Sequence, residues 1–436
     1  MVNGFDPATA SQLDASTRQL VERRQSVMGP SYRLFYDSPV EFVRGDGVWL
    51  FDSDGNAYLD AYNNVPIIGH SHPAVQAAVT DALGTLSTHT RYLTHGVVDY
   101  AERLVDTFEG DMAKVTFACT GSEAVDLAVR LARYETGHDG MLVTSNAYHG
   151  TTTAAAQLSP SLGPDNDLGR TVVRIPAPDI VRDGDDIGVC FAEAVRTGIA
   201  ELRSRGVGFA GMILDSILSS DGVQAGPEGF IAEAREVVRE AGGLWIADDV
   251  QPGFGRTGTH MWGYQRHGID PDLVVIGKPM GNGYPISAML TRPGVGEKFG
   301  ADIRYFNTFG GSGGAIAAAT AVLDVLESDG LMHRAADTGA HLLAGLGALT
   351  ERHPNLVHAR GAGLFLAVEC DTAATASAIV NGMRNRRVLI SASGERGNIL
   401  KIRPPLAFES IHVPTVVSAF AESLSDVDHL TGIETP

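Results

Sequence analysis

The stretch LVVIGKPMGNGYP, residues 273–285, decides the reading of this chain, and Lys278 stands at its centre. Leu273, Val274, Val275 and Ile276 run into Gly277, and the lysine closes the apolar run. Pro279, Gly281, Gly283 and Pro285 then forbid a regular helix or strand and mark a shaped loop. No other charged residue lies between Asp272 and Arg292. Burial disfavours the charged form of a lysine and lowers its pKa. An amine of lowered pKa suits Schiff-base chemistry. On this stretch alone a lysine snorkelling off a buried strand explains the pattern equally well.

Upstream lies GGLWIADDVQPGFGRTG, residues 242–258, where a second apolar run, Leu244 to Ala247, ends in Asp248 and Asp249. Two parallel-type strands that both end in functional side chains point to one site at the carboxyl edge of an open α/β sheet. A carboxylate at one strand end and a lysine at the next fit pyridoxal phosphate, with the lysine as its anchor and the aspartate holding the pyridinium nitrogen protonated. An Asp pair that merely caps a turn is the competing reading.

VTFACTGSEAVDLAVRLAR, 115–133, reads as strand, turn and helix, with Val125, Ala128, Val129 and Ala132 on one helical face. Thr120, Gly121 and Ser122 fall at the helix N-terminus, where free N–H groups and the helix dipole favour a phosphate. An ordinary Ser N-cap is the alternative on this segment. MLVTSNAYHGTT, 141–152, is a strand followed by Tyr148, His149 and Gly150, and residues 153–185 read as loop-rich. Further strands are expected at 207–217 and, as a meander around two Asp-Gly turns, over 29–60. Helices are expected from Ala10 to Met28 and from Val75 to Leu83.

At 436 residues the chain exceeds one common core and suggests two lobes. A composition of 44% hydrophobic and 19% charged residues is ordinary for a soluble enzyme. The net charge of −19 argues against non-specific nucleic-acid binding and against docking to anionic membranes. No membrane span and no signal pattern is evident. Cys119, Cys190 and Cys370 are odd in number and far apart, as free thiols of a reducing cytoplasm would be. His70 and His72 lack a third ligand nearby, so no metal site is expected.

With DDVQPGFGRTG and GKPMGNG in hand, the chain resembles class III (ω-type) aminotransferases of fold type I from about residue 29 to 408. The resemblance implies an α/β fold with a large domain (71–328) built on a mostly parallel seven-stranded sheet. A smaller α+β domain would come from both termini, 1–70 and 329–436. It implies that Lys278 and Asp248 are catalytic and that Val250, Gln251 and Tyr148 contact the cofactor ring. Thr120, Gly121 and Ser122 would hold the cofactor phosphate, with Thr308 reaching the partner subunit's phosphate. Active sites shared across a homodimer follow, with a tetramer as a further option. Arg403, rigidified by Pro404 and Pro405, would bind the acidic group of a substrate, as the guanidinium fork suits carboxylate or phosphate. Two departures stand out: Cys119-Thr120 where many relatives read asparagine-serine, and Asp215 where transaminases often carry a glutamate that manages a mobile arginine.

The segments GPSYRLFYDSPVEFVRGDG, NNVPIIGHSHP, THTRYLTHGVVDYAERL, LARYETGH and DSILSSDGVQ are most similar to ethanolamine-phosphate and phosphohydroxylysine phospho-lyases. That subgroup eliminates phosphate, so O-phosphoethanolamine would give acetaldehyde, ammonia and phosphate. Arg403 and Arg91 are then the candidate phosphate-binding cations, with Tyr62 as a hydroxyl donor. The alternative is an ω-aminotransferase passing an amino group from an amine to a 2-oxo acid. A non-catalytic binding protein would require loss of Lys278 or Asp248, and both are present. A metal hydrolase built on His70, His72 and His149 lacks a ligand set.

Overall fold

A computed structural model describes residues 3–431; the outermost residues of the two expected terminal segments lie outside the described residues. The chain opens with a 3-10 helix, Pro7–Gln12, and an α-helix, Ala15–Val27. That α-helix starts later than the sequence suggests because Asp14 caps it, accepting from the N–H groups of Ser16 (3.0 Å) and Thr17 (3.0 Å). The meander follows as β1 (Phe42–Asp46), β2 (Trp49–Asp52) and β3 (Ala57–Asp60). The helix expected at Val75–Leu83 runs over Pro73–Thr85.

Seven strands then build the central sheet. They are β4 (Lys114–Ala118), β5 (Gly140–Thr144), β6 (Val172–Ile175), β7 (Phe209–Asp215), β8 (Leu244–Asp248), β9 (Leu273–Ile276) and β10 (Ser287–Thr291). Their order is β4-β10-β9-β8-β7-β5-β6. Only β10 runs against its neighbours. Strands buried on both faces read as continuous apolar runs rather than alternating ones. β9 shows this directly. Val274 and Ile276 belong to the core on one face, while Leu273 and Val275 pack against the helix Gly121–Thr136 on the other. Within the stretch that reads as loop-rich, the structure adds the edge strand β6 and a short helix, Thr153–Gln157. Four residues between Gly169 and the prolines at 176 and 178 are too short a run to stand out by period.

The remaining strands are β11 (Leu356–Ala362), β12 (Phe365–Cys370), β13 (Val388–Leu389), β14 (Ser391–Ser393) and β15 (Ile399–Ile402). Four of them form an antiparallel sheet in the order β11-β12-β15-β14. β13 instead joins the N-terminal meander, pairing parallel with β3 through Val388–Leu59 and Leu389–Asp60. Both ends of the chain therefore build one smaller lobe. It is tied to the sheet edge by specific bonds. Asn282, in the Lys278 loop, accepts from Ile68 N–H (3.0 Å) and donates to the Gly69 carbonyl (2.8 Å). Arg360 on β11 pairs with Glu369 (2.8 Å) and donates to the Gly222 carbonyl (2.9 Å) beyond β7. Cys119, Cys190 and Cys370 are free thiols, and no helix among the described residues is long and apolar enough to cross a membrane.

The helix Leu331–Thr350 crosses the β11–β12 turn so closely that a Cβ on Gly339 would lie 2.0 Å from the Gly363 carbonyl oxygen. Gly339→Ala is expected to cost about 1–3 kcal/mol by overpacking. Thermal unfolding of the variant should show a lowered midpoint, and an unchanged one would mean that the helix shifts freely.

Candidate active site

Six strands of the sheet end on one edge, and the side chains that matter follow those ends. β9 stops at Ile276, and Lys278 opens the 3-10 turn Lys278–Gly281. Its φ of 36° lies in the left-handed region. Such a conformation costs on the order of 1–3 kcal/mol in a non-glycine residue and persists only where the surroundings impose it. Burial pushes the Lys278 amine down to about 8, the charge of Arg403 adds to that, and the carboxylates of Asp248 and Asp215 oppose it. The ring of Tyr148 lies 5.9 Å from the amine.

Asp248 closes β8 and is buried. One carboxylate oxygen faces His149 Nδ1 at 2.6 Å and the other accepts from Val250 N–H at 3.2 Å. A carboxylate between an imidazole and a backbone amide is held in one orientation. His149 itself is buried, and its Nε2 has no hydrogen-bond partner among the described residues. Asp249, next in the chain, points elsewhere. It accepts from Ser216 Oγ and Tyr264 N–H, and burial pushes it up to about 7.

One cavity is lined by Lys278, Asp248, Val250, Gln251, Tyr148, Gly121 and Ser122, together with His149 and Gly150. The helix Gly121–Thr136 presents its N-terminus there. The first N–H groups of a helix have no partner within it, so Gly121 and Ser122 offer donors to an anion. Gly150 lets the Tyr148 loop press onto that terminus, since a Cβ there would lie 2.4 Å from Ser122 Oγ. The Thr120 hydroxyl accepts from Glu123 N–H (3.2 Å) while the Glu123 carboxylate accepts from Thr120 N–H (2.9 Å), a reciprocal cap, and the residue is exposed. The hydroxyl accepts within the helix start, and its own O–H remains able to donate to an anion.

Arg403 arrives from the smaller lobe just after β15, buried, with its guanidinium 4.6 Å above the ring of Tyr62. Tyr62 therefore meets it with a ring face rather than a hydroxyl. Arg403 donates to Gln251 Oε1 (2.5 Å), Gln251 Nε2 donates to Ser219 Oγ (2.5 Å), and Ser219 Oγ donates to the Asp215 carboxylate. Asp215 also accepts from the N–H groups of Ile217 and Ser219. Arg91 and Thr308 lie apart from this cavity within the chain. Both are exposed, and the Arg91 guanidinium sits 3.8 Å over the Phe306 ring. The three histidines of the hydrolase reading are separated too: His70 Nε2 faces Asp60 (2.7 Å), His72 caps the helix Pro73–Thr85, and His149 holds Asp248.

Ser219 escaped the sequence reading, and His149 was named there without its tie to Asp248. His149 adjoins Tyr148 and was legible as a neighbour, but nothing local ties it to Asp248, 99 positions away. The donor set fits pyridoxal phosphate: an amine of lowered pKa, an oriented buried carboxylate, an aromatic wall and a helix N-terminus with free amides.

Comparisons with known proteins agree. Residues 35–424 match the family Aminotransferase class-III, and the chain belongs to it. It is 34% identical to Alanine–glyoxylate aminotransferase 2-like of Drosophila melanogaster, over 94% of this chain and 88% of that one. It is 33% identical to Ethanolamine-phosphate phospho-lyase homolog 1 of Caenorhabditis elegans, over 96% of both chains. Among solved structures, a phospholyase from Arthrobacter in complex with phosphoethanolamine superposes with a TM-score of 0.89 at 40% identity, covering 93% of this chain and 99% of that one. The fold is that of the class III enzymes and the cofactor is pyridoxal phosphate.

In cofactor-free protein, reaction of Lys278 with a small amine-labelling reagent should rise with pH and reach its half-point near 8, where the neutral amine appears, rather than near the ordinary 10.5. Mass-spectrometric quantification of labelled Lys278 checks this. A half-point near 10 would mean that the amine stays solvated.

Proposed function

We propose that this chain is a phospho-lyase that eliminates phosphate from O-phosphoethanolamine or a similar phosphorylated amine. One observation carries the reading. Arg403 is buried beside Lys278 and held by Gln251, whose other end is anchored through Ser219 to Asp215. A transaminase that alternates between two substrates gains from an arginine that swings away, with a carboxylate free to receive it. Here Asp215 is occupied by a hydroxyl and two backbone amides, so a positive charge stays in the site. A permanent buried cation favours a substrate that always carries an anion. The likeness to the phospholyase with phosphoethanolamine supports the same choice.

When bound, pyridoxal phosphate supplies a ring that accepts the electrons released at the substrate's Cα. Gly121 and Ser122 amides would hold its phosphate, Tyr148, Val250 and Gln251 would hold its ring, and Asp248 would keep a proton on the ring nitrogen. His149 keeps Asp248 in position for that task. Lys278 is the base that takes the Cα proton, and an amine with a pKa of about 8 is partly neutral near physiological pH. The C–O bond to phosphate then breaks, and the enamine product takes up water to give acetaldehyde and ammonia. Arg403 binds the departing phosphate. The relatives named as aminotransferases keep transamination as the second reading, since removal of the Cα proton is common to both.

Two chains are proposed to complete each site. Arg91 and Thr308 lie on exposed segments, and their chain neighbours Leu93 (98%), Phe309 (69%) and Tyr92 (66%) are exposed apolar groups of the kind that mark interaction surfaces.

Incubating the loaded protein with O-phosphoethanolamine should release phosphate, acetaldehyde and ammonia in equal amounts with the cofactor spectrum unchanged at the end. Lys278→Ala should lower that rate by about 10²–10⁴-fold or more while the protein stays folded. Conversion of the cofactor to its pyridoxamine form without phosphate would establish a transaminase instead. Light scattering should give at least twice the 46.0 kDa of one chain, and Leu93→Asp should shift the protein toward monomer with loss of activity. A fully active monomer would exclude the shared site.

A further inference from the structure

Lys401 has no place in the site as described so far. It lies on β15 two residues before Arg403, so an extended chain sends both side chains to the same side. Its strand neighbours across the sheet are the small residues Ala367 and Ser391. Lys401 is only 7% exposed, yet its ammonium makes no hydrogen bond and no ion pair among the described residues. The deeply buried arginines are all engaged. Arg360 pairs with Glu369, Arg235 with Asp272, and Arg256 donates to the carbonyls of Leu364 and Pro404. A buried charge without a partner is costly, and such a group is usually one that a ligand completes.

The surroundings say which ligand. Lys401 lines a cleft of about 710 Å³ with Arg174 and Arg396, against a single carboxylate, the exposed Glu395. Asn146 and Ser220 add neutral polar groups to its wall. The charges of Arg403, Asp215, Lys278 and Asp221 all act on Lys401, which ties it electrostatically to the candidate active site. Neither carboxylate is free to neutralise it. Asp215 accepts from Ser219 and two backbone amides, and Asp221 accepts from Thr144 Oγ1 (2.6 Å) and Asn146 N–H (2.8 Å). Burial and the charge of Arg403 push the Lys401 amine well below its usual range, a state that an arriving anion would reverse. Lys401, with the exposed Arg174 and Arg396 on the same cleft, gives it more positive than negative charge, which favours an anion.

We propose that Lys401, acting with Arg403, receives the phosphoryl group of the substrate and is a specificity-determining residue of this enzyme. The assignment of that anion to a substrate phosphate rests on the phospho-lyase reading above. Lysine suits the task as a compact point charge with three donors, complementing the planar fork of Arg403.

The test uses the cofactor-loaded protein as wild type, Lys401→Met, Lys401→Gln and Lys401→Arg, each first checked for an unchanged cofactor spectrum and thermal midpoint. Calorimetric titration with inorganic phosphate, and with acetate as the carboxylate control, reads the anion site without any turnover. Loss of one charge-assisted contact predicts phosphate binding weakened about tenfold or more in the Met and Gln variants, with Arg restoring most of it. KM for O-phosphoethanolamine should rise in parallel, with kcat changing less. Unchanged phosphate affinity and KM in both neutral variants, or no phosphate binding to wild type, overturns the proposal. So does acetate binding that depends on Lys401 while phosphate does not bind. Phosphate binding that depends on Lys401 in a protein releasing no phosphate from O-phosphoethanolamine would retain the anion site and reject the phospho-lyase reading.

Discussion

The amine of Lys278 has been taken out of water at the carboxyl edge of a largely parallel sheet, and much of the surrounding architecture answers to that desolvation. Burial lowers its proton affinity, Arg403 lowers it further, and the carboxylates of Asp248 and Asp215 pull it back. Coulombic influence of this kind is strong only where water is excluded. The backbone contributes as well, since Lys278 occupies a left-handed conformation that an unsupported non-glycine residue avoids. Support comes from the fully buried β9 on one side and from Asn282, tied to residues 68 and 69, on the other.

The site belongs to two lobes, and neither completes it alone. β8 and β9 supply Asp248 and Lys278, whereas Arg403 and Lys401 arrive on the chain around β15. Backbone bonds from Arg403 N–H to the Ala61 carbonyl (2.9 Å) and from Leu406 N–H to the Ile67 carbonyl (2.7 Å) join that chain to the N-terminal segment. Arg256 reaches from the loop after β8 to the Pro404 carbonyl (2.7 Å). These ties set the position of the guanidinium relative to the amine. Small errors there would matter, because catalytic geometry tolerates little displacement.

The contrast between lyase and transaminase chemistry turns on how a positive charge is managed rather than on proton removal. With Asp215 committed to Ser219 and backbone amides, Arg403 rests on Gln251, a neutral partner that leaves its charge available to a ligand. On the proposed reading, a site whose charge is built in suits a substrate whose phosphate is always present.

Much of this was legible in the chain itself. Strands buried on both faces are continuous apolar runs, so 115–118, 209–215, 244–248 and 273–276 announced themselves, and so did the reactive side chains at their ends. Lys278 and Asp248 were identifiable because a lone charge closing an apolar run is conspicuous. The short edge strand β6 was not, since four residues carry too little period. Pairings between distant side chains left no local trace: His149 with Asp248, 99 positions apart, and Gln251 with Arg403, 152 apart. Thr120 stands at a helix start, and only the fold revealed its reciprocal cap with Glu123. Lys401 passed for an ordinary lysine until the packing of β15 buried most of it against a cleft without giving it a protein partner. Sequence determined which groups stand at the ends of buried strands, because apolar periodicity is local. Tertiary structure decided which charges face one another and which remain unpaired, because that depends on contacts between segments far apart along the chain.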